Sequence, residues 1–140
     1  MGRMARTQRS QRAFRWLVVG ALIGVIGGCG GTPEFILDSD IPTPTALDSV
    51  LVNQLKRDDG LLVGASAIYV GKIANAEATL ADLEQQFADS GWTLETASGD
   101  DVQAVGVFTK DARSCRVRVL KNELNPAMSR MNYTLGDRDG

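Results

Sequence analysis

Two cysteines and two pairs of adjacent aspartates are the residues of this chain whose types suggest chemistry. Its 140 residues contain no histidine, which removes the commonest general base and the commonest metal ligand. Two cysteines are too few for a disulfide framework or a four-thiolate zinc site. Cys115 alternates with Val117 and Val119, so we expect it on a buried strand face as a small hydrophobic group. A redox or intermolecular disulfide role is the alternative.

The two acidic pairs are candidates for binding a divalent cation or for acid–base catalysis. Asp58-Asp59 and Asp100-Asp101 each lie beside a glycine. Aspartate next to glycine is typical of turns, where the carboxylate accepts hydrogen bonds from nearby backbone amides. Neither pair has the spacing of a calcium loop. We therefore expect two turns, and we predict no catalytic residue, no metal site and no cofactor.

Basic side chains recur along one predicted strand of an otherwise acidic protein. Arg116 and Arg118 lie two residues apart and therefore share a strand face. They are candidates to contact an anionic lipid, a glycan or an acidic protein, and cross-strand pairing with carboxylates is the alternative. Trp92 and Tyr69 are further candidates for a binding surface, although an aromatic directly after a helix-ending glycine more often covers the core. The other basic residues of this stripe are Lys110, Arg113 and Lys121.

The beginning of the chain carries the strongest functional signal. Residues 1–28 contain five arginines and no acidic residue, and residues 16–26 form an apolar run of eleven residues. A basic start before a short apolar run is the layout of a secretory signal peptide. A helix needs about 20 residues to cross the hydrocarbon layer, so this run is a poor permanent membrane span.

The apolar run ends in Ile26-Gly27-Gly28-Cys29, which resembles the lipobox of bacterial lipoproteins. The resemblance implies diacylglycerol with palmitate-like chains on the Cys29 sulfur, cleavage between Gly28 and Cys29, and often a third acyl chain on the new amine. Two or more chains anchor a protein stably, whereas one binds only marginally. We therefore expect anchoring at the cell membrane or outer membrane, on the exported side. An ordinary cleaved signal or a short uncleaved anchor is the alternative.

One helix is predicted over about residues 76–89. Its apolar residues recur at spacings of four, three and four, which places them on one face. Asn75 is the expected N-cap, and Gly91 is expected to end the helix in the left-handed conformation. Counting back from Gly91, Phe87 and Trp92 become the pair that touches in a Schellman cap. The apolar face consists of Ala76, Leu80, Leu83 and Phe87.

Alternating patterns predict strands around this helix. Residues 46–57 fit either a helix or the first strand of a hairpin, and we favour the strand. The sum is an α+β domain, with an antiparallel sheet of about five strands covered on one face by a single helix. The other predicted strands span residues 62–71, 92–97, 102–110, 113–121 and 128–135.

Several short landmarks in the folded part resemble small bacterial lipoproteins that have a sheet-and-helix domain and no assigned activity. The resemblance would cover nearly the whole chain, and it implies a cell-envelope protein with no known catalytic residues to carry over. The landmarks, in chain order, are Tyr69-x-Gly71, Gly91-Trp92, Phe108-x-Lys110 and Cys115-x-Val117-x-Val119.

The predicted organisation has four parts: a signal peptide at residues 1–28, a lipid anchor with a Pro/Gly tether at 29–44, an α+β domain at 45–136, and a disordered tail at 137–140. Three of the four prolines fall in the tether, which favours extended geometry. Within it, the apolar residues 35–37 either dock on the domain edge or lie near the bilayer.

These observations predict a lipid-anchored, non-enzymatic module of the cell envelope with a structural or partner-binding role. Its partners would be the membrane, through lipidated Cys29, and an unknown envelope protein, glycan or lipid. Residues 29–140 carry seventeen acidic and ten basic residues, which disfavours nucleic acid. The alternative function is a carrier or sensor that binds a small molecule or lipid between helix and sheet.

Overall fold

The computed structural model describes residues 34–139, which form a six-stranded sheet and one long helix. The predicted signal peptide, the cleavage site between Gly28 and Cys29, and the lipidation site lie outside the described residues. The elements are β1 (Leu47–Asp58), β2 (Leu61–Gly71), α1 (Ala76–Asp89), β3 (Thr93–Gly99), β4 (Gln103–Lys110), β5 (Arg113–Leu120) and β6 (Ser129–Asp137), with short 3-10 turns at Ile36–Asp38 and Pro126–Met128.

The strand order in the sheet is β1-β2-β6-β5-β4-β3, and every neighbouring pair is antiparallel. The connection from β2 to β3 contains α1 and crosses the sheet to its far edge, while β6 returns to pair between β2 and β5. This confirms the α+β class and the single covering helix. The sheet has six strands rather than about five, because the ambiguous segment at 46–57 forms the edge strand β1.

Helix α1 begins and ends where the sequence predicts. The Asn75 side chain accepts a hydrogen bond from the Ala78 amide at 2.8 Å, as an N-cap does. At the other end the Trp92 amide donates to the Phe87 carbonyl at 2.9 Å, and Gly91 has a φ of +83°. The two rings meet edge to face, with centroids 5.8 Å apart. This is the predicted Schellman cap with its hydrophobic contact.

Replacing Gly91 with alanine tests this cap. An L-residue in the left-handed conformation costs about 1–2 kcal/mol, so we expect Gly91→Ala to lower the free energy of unfolding by about that amount in urea titrations. Gly136→Ala is the matched control, because a methyl group there meets nothing within 4 Å and the backbone angle is ordinary. An equal loss in both variants would contradict the role assigned to Gly91.

Alternate residues of the central strands point to one face of the sheet, which we call the covered face. Helix α1 packs on this face across β3, β4 and β5. The N-terminal segment (Glu34–Pro44) packs on the same core beside β1 and β2, and Ile36 and Ile41 are almost wholly buried there. The strand residues of the covered face include Ala65, Ala67, Tyr69, Ala104, Phe108, Cys115, Val117, Val119, Met131, Tyr133 and Leu135.

The folded unit is longer at both ends than the predicted boundaries of 45 and 136. The N-terminal segment folds back on itself, with the Thr43 amide donating to the Glu34 carbonyl at 2.8 Å, and it buries Ile36 rather than leaving the apolar cluster free. At the other end β6 continues to Asp137, which pairs with Arg113. The predicted tether therefore includes at least eleven residues that belong to the domain.

Candidate binding face

Arg116 and Arg118 lie on the face of the sheet that α1 does not cover, which we call the open face. Both side chains are exposed, and each lies opposite a valine on β4 and a short polar residue on β6. The alternative that they pair with carboxylates across strands is therefore wrong, because the register puts no carboxylate beside them. The cross-strand pairs are Arg116 with Val107 and Thr134, and Arg118 with Val105 and Asn132.

A third arginine, Arg130, joins these two on the open face. It pairs with Leu120 on β5 and Val70 on β2, so it is the diagonal neighbour of Arg118. Diagonal neighbours on a sheet lie roughly 7–8 Å apart, and residues two apart along one strand lie about 6.5–7 Å apart. The three side chains form a diagonal row, which we call the arginine row, with Arg118 in the middle. Only the pairing register of β5 and β6 shows that Arg130 lies beside Arg118.

The charge of the open face differs in sign from that of the protein as a whole. Residues 34–139 contain seventeen acidic and ten basic residues, yet the outward positions of β2, β6, β5 and β4 hold three arginines and no carboxylate. Within the described part of the chain, both ion pairs shorter than 4.0 Å involve Asp40 rather than the arginine row. Two like charges 7 Å apart in water repel by about 0.6 kcal/mol, and an anion on this face would remove that cost.

Aliphatic side chains fill the space around the arginine row. They are half-buried, because neighbouring side chains of the sheet cover them in part. Arginine surrounded by apolar surface, with few other charged groups, is the composition typical of protein–protein interfaces. The aliphatic residues are Ile68, Val70, Val105, Val107 and Leu120.

The other two basic residues of β4 and β5 have a different role. Lys110 and Arg113 lie at the end of the covered face, where both contact the Asp40 carboxylate of the N-terminal segment. Arg113 binds it with two hydrogen bonds, Nη1 to Oδ1 at 2.9 Å and Nη2 to Oδ2 at 2.8 Å, and Lys110 Nζ donates to Oδ2 at 2.7 Å. The predicted basic stripe is thus divided between the two faces of the sheet.

Trp92 joins Lys110 and Arg113 around Asp40 instead of lining a binding surface, and we call these four residues the Asp40 cluster. Its indole nitrogen donates to the Asp40 carbonyl at 2.9 Å, and the Arg113 guanidinium lies 4.8 Å from the ring centroid in a cation–π contact. The tryptophan is only 3% exposed. The end of α1, two strands and the N-terminal segment are therefore joined at one point. Sequence reasoning missed Asp40, because its ionic partners lie 70 and 73 residues further along the chain.

The Asp40 carboxylate should make stability depend on pH. Burial alone would raise its pKa, but the hydrogen bonds and charges of Arg113 and Lys110 outweigh that effect and lower the pKa from 3.8 to about 2. A depressed folded-state pKa contributes stability that is complete above the unfolded value and is lost as pH falls from 3.8 towards 2.

We therefore expect the difference in free energy of unfolding between the wild type and Asp40→Asn to shrink as pH falls from 6 to about 2. Urea titrations across this range measure it. A difference that stays constant with pH would show that ionisation of Asp40 does not contribute to stability.

Tyr69 is also on the covered face, so it lies on the opposite side of the sheet from Arg116 and Arg118. Its ring meets that of Tyr133 edge to face at 5.4 Å, and it lines a cleft of about 220 Å³ between the N-terminal segment and β1. The four residues predicted as a candidate binding surface therefore do not form one surface. The two arginines share the open face, whereas Tyr69 and Trp92 are buried on the covered face.

Cys115 is fully buried on the covered face, as its alternation with Val117 and Val119 predicts. Burial raises the pKa of its thiol to about 12, although the nearby Arg113 charge opposes the effect. A thiol with such a pKa carries almost no thiolate at neutral pH, and the thiolate is the reactive form. The position favours a packing role.

Both aspartate pairs lie at turns, as predicted, although Asp58 is the last residue of β1. Asp59 and Gly60 have positive φ angles of 47° and 82°, which is the two-residue turn between β1 and β2. The Asp100 carboxylate accepts hydrogen bonds from the Gln103 and Val102 amides at 2.9 and 3.0 Å, and these bonds lower its pKa. No three acidic or cysteine side chains converge on a metal position anywhere in residues 34–139.

The interface between α1 and the sheet is filled by aromatic side chains. Phe87 stacks on Phe108 with centroids 4.0 Å apart, and it also contacts the Trp92 and Tyr133 rings. Two clefts flank the helix, with volumes of about 130 and 160 Å³. Sites for small molecules usually need about 300 Å³ or more, so neither cleft offers room for a ligand between helix and sheet.

Within residues 34–139 no helix combines the length and the hydrophobicity needed to cross a bilayer. No family model, curated protein or solved structure shows a significant match to this chain.

Proposed function

We propose that this protein is a lipid-anchored, non-enzymatic module of the cell envelope that binds an acidic protein through its open face. The observation that carries the binding role is the arginine row: three arginines without carboxylate partners on the uncovered face of an otherwise acidic domain.

The lipid anchor is supported by the sequence. A basic start and an apolar run of eleven residues have the layout of a secretory signal peptide, and the cysteine directly after two glycines resembles a lipobox. The net negative charge of residues 29–140 disfavours nucleic acid as a partner. The sequence contains no histidine, the residue that most often acts as a general base. The membrane is therefore the first partner in this proposal, through Cys29.

An acidic protein is the occupant that the open face fits best. The arginine row has a cleft at each end, of about 270 Å³ beside Arg116 and about 570 Å³ beside Arg130, and both clefts open widely to solvent. A small ligand binds in a site that encloses most of its surface, so the row as a whole suits another protein surface better. Half-buried aliphatic side chains between the arginines offer apolar contact area that a glycan or a phosphate would leave unused. Charge complementarity would speed association and select acidic partners.

Titration of the isolated domain with poly-L-glutamate tests the electrostatic part of this proposal. We expect amide shifts in the NMR spectrum to cluster on β5 and β6, and the apparent affinity to fall as salt rises. Arg118→Glu should weaken binding roughly tenfold or more, because it places a like charge in the middle of the row.

Lys72→Glu is the matched control, since it changes the net charge equally at an exposed position outside the open face. Equal loss of binding in Lys72→Glu and Arg118→Glu would mean that only net charge matters. That result would contradict a specific binding role for the open face.

The carrier or sensor alternative receives no comparable support. It requires space around Leu80, Leu83, Phe87 and Trp92, and these side chains are at most 3% exposed. We therefore do not propose a ligand between helix and sheet.

A further inference from the structure

We propose that one edge of the domain, formed by β1 and the beginning of the N-terminal segment, lies against the surface of the bilayer that holds the lipid anchor. This inference rests on the proposed lipidation of Cys29 and adds to it an orientation and a set of contacting side chains. The occupant is a neutral, zwitterionic lipid surface.

Exposed apolar side chains are concentrated at this edge. Of the nine large hydrophobic residues exposed in residues 34–139, six fall between residues 35 and 61. Val50 is 64% exposed and Leu55 is 51% exposed, both on a strand that pairs with β2 alone. We call the six the apolar edge: Phe35, Leu37, Val50, Leu51, Leu55 and Leu61.

Specific contacts bring the N-terminal part of the apolar edge next to its strand part. The Arg57 guanidinium donates to the Leu37 carbonyl at 2.7 Å and to the Gly60 carbonyl at 2.9 Å. Leu37 therefore lies beside the turn that precedes Leu61. Phe35 also lines the 220 Å³ cleft whose opposite wall belongs to β1.

The covalent distance to the proposed anchor confines this edge to the membrane surface. Glu34 follows Cys29 by five residues, and five extended residues span at most about 17 Å. Thr43 donates two hydrogen bonds to the Glu34 carbonyl, and the Asp40 cluster holds the same segment against the domain. The segment can lengthen this connection only by breaking the bonds to Glu34. A short tether also gives a high effective concentration, so weak individual contacts become populated.

The charges near the apolar edge favour a neutral surface over an anionic one. Lys56 and Arg57 are the basic residues of β1, whereas the same part of the chain holds more carboxylates. An anionic surface would repel that excess, so apolar contact and headgroup hydrogen bonds must provide the attraction. The acidic residues between positions 34 and 59, apart from the ion-paired Asp40, are Glu34, Asp38, Asp48, Asp58 and Asp59.

Nitroxide accessibility in the lipidated protein tests this orientation. Single cysteines at Leu37→Cys and Leu55→Cys can be labelled selectively, because Cys115 is buried and Cys29 would carry the lipid. In phosphatidylcholine vesicles we expect the nitroxide to collide more often with oxygen and less often with a water-soluble nickel complex, each by roughly twofold or more. The reference is the same labelled domain without its lipid, as a monomer in solution without detergent. Ala81→Cys, exposed on α1, is the control and should remain fully aqueous.

The two proposals fail in different ways in this experiment. Lipidated protein, verified by mass, in which the labels at 37 and 55 remain as aqueous as the label at 81 would overturn the orientation and leave the anchor intact. A chain whose Cys29 carries no lipid would overturn both. Protection that appears only when phosphatidylglycerol is added would contradict the neutral surface.

Discussion

Asp40→Ala is expected to lower the free energy of unfolding by about 3–5 kcal/mol, because it leaves a buried guanidinium without its counterion. Arg113 is only 3% exposed, and two of its hydrogen bonds end on the Asp40 carboxylate. Its guanidinium also donates to the Leu62 backbone carbonyl at 3.1 Å. Urea unfolding followed by circular dichroism measures the loss.

Two further variants separate this effect from general damage. Asp82→Ala removes an exposed carboxylate from α1 and should change stability by less than about 0.5 kcal/mol. Asp40→Ala combined with Arg113→Met removes the whole charged pair, and it should be more stable than the sum of the single losses predicts. Simple additivity would show that the two charges do not depend on each other.

Phe87→Ala is expected to cost a similar amount, about 3–5 kcal/mol, for a different reason. The Phe87 ring is fully buried, and it stacks on Phe108 while contacting Trp92 and Tyr133. Removing it leaves a cavity between α1 and the sheet and also removes the hydrophobic contact of the Schellman cap. Thermal or urea unfolding checks the prediction.

Phe35→Ala is the matched control for this substitution, because it deletes the same atoms from a side chain that is 39% exposed. We expect it to cost less than about 1 kcal/mol. Similar losses in both variants would mean that the packing of Phe87 contributes no more than that of an exposed ring.

The sequence predicts those parts of the fold that depend on local chemistry. Helix α1 has the predicted bounds because the Asn75 cap, the apolar spacing and the Gly91 stop all act within one or two turns. The burial of Cys115 follows from alternation along one strand. The edge strand β1 was ambiguous, since its leucine spacing also fits a helix, and only pairing with β2 settles it.

Features that depend on strand register or on distant contacts could not be predicted in this way. Arg130 joins Arg118 only because β6 pairs with β5 in one particular register. The Asp40 cluster joins residues that are 70 and 73 positions apart. The proline content of residues 29–44 predicts a tether, but the buried side chains of Ile36 and Ile41 belong to the core.

The two proposed contacts use different residues of the domain, although Leu51 of the apolar edge lies opposite Ile68 of the open face. The apolar edge combines exposed leucines with an acidic neighbourhood, whereas the open face combines arginines with aliphatic side chains and no carboxylate on its four central strands. High salt should therefore weaken binding of poly-L-glutamate to the open face and leave the membrane contact of the apolar edge nearly unchanged.

The intact mass of the protein, purified from the membranes of its native cells, tests the central claim most directly. The account predicts a mature chain that begins at Cys29 and carries a diacylglyceryl group on the sulfur of that residue. A chain that retains residues 1–28 with a free Cys29 thiol would contradict it.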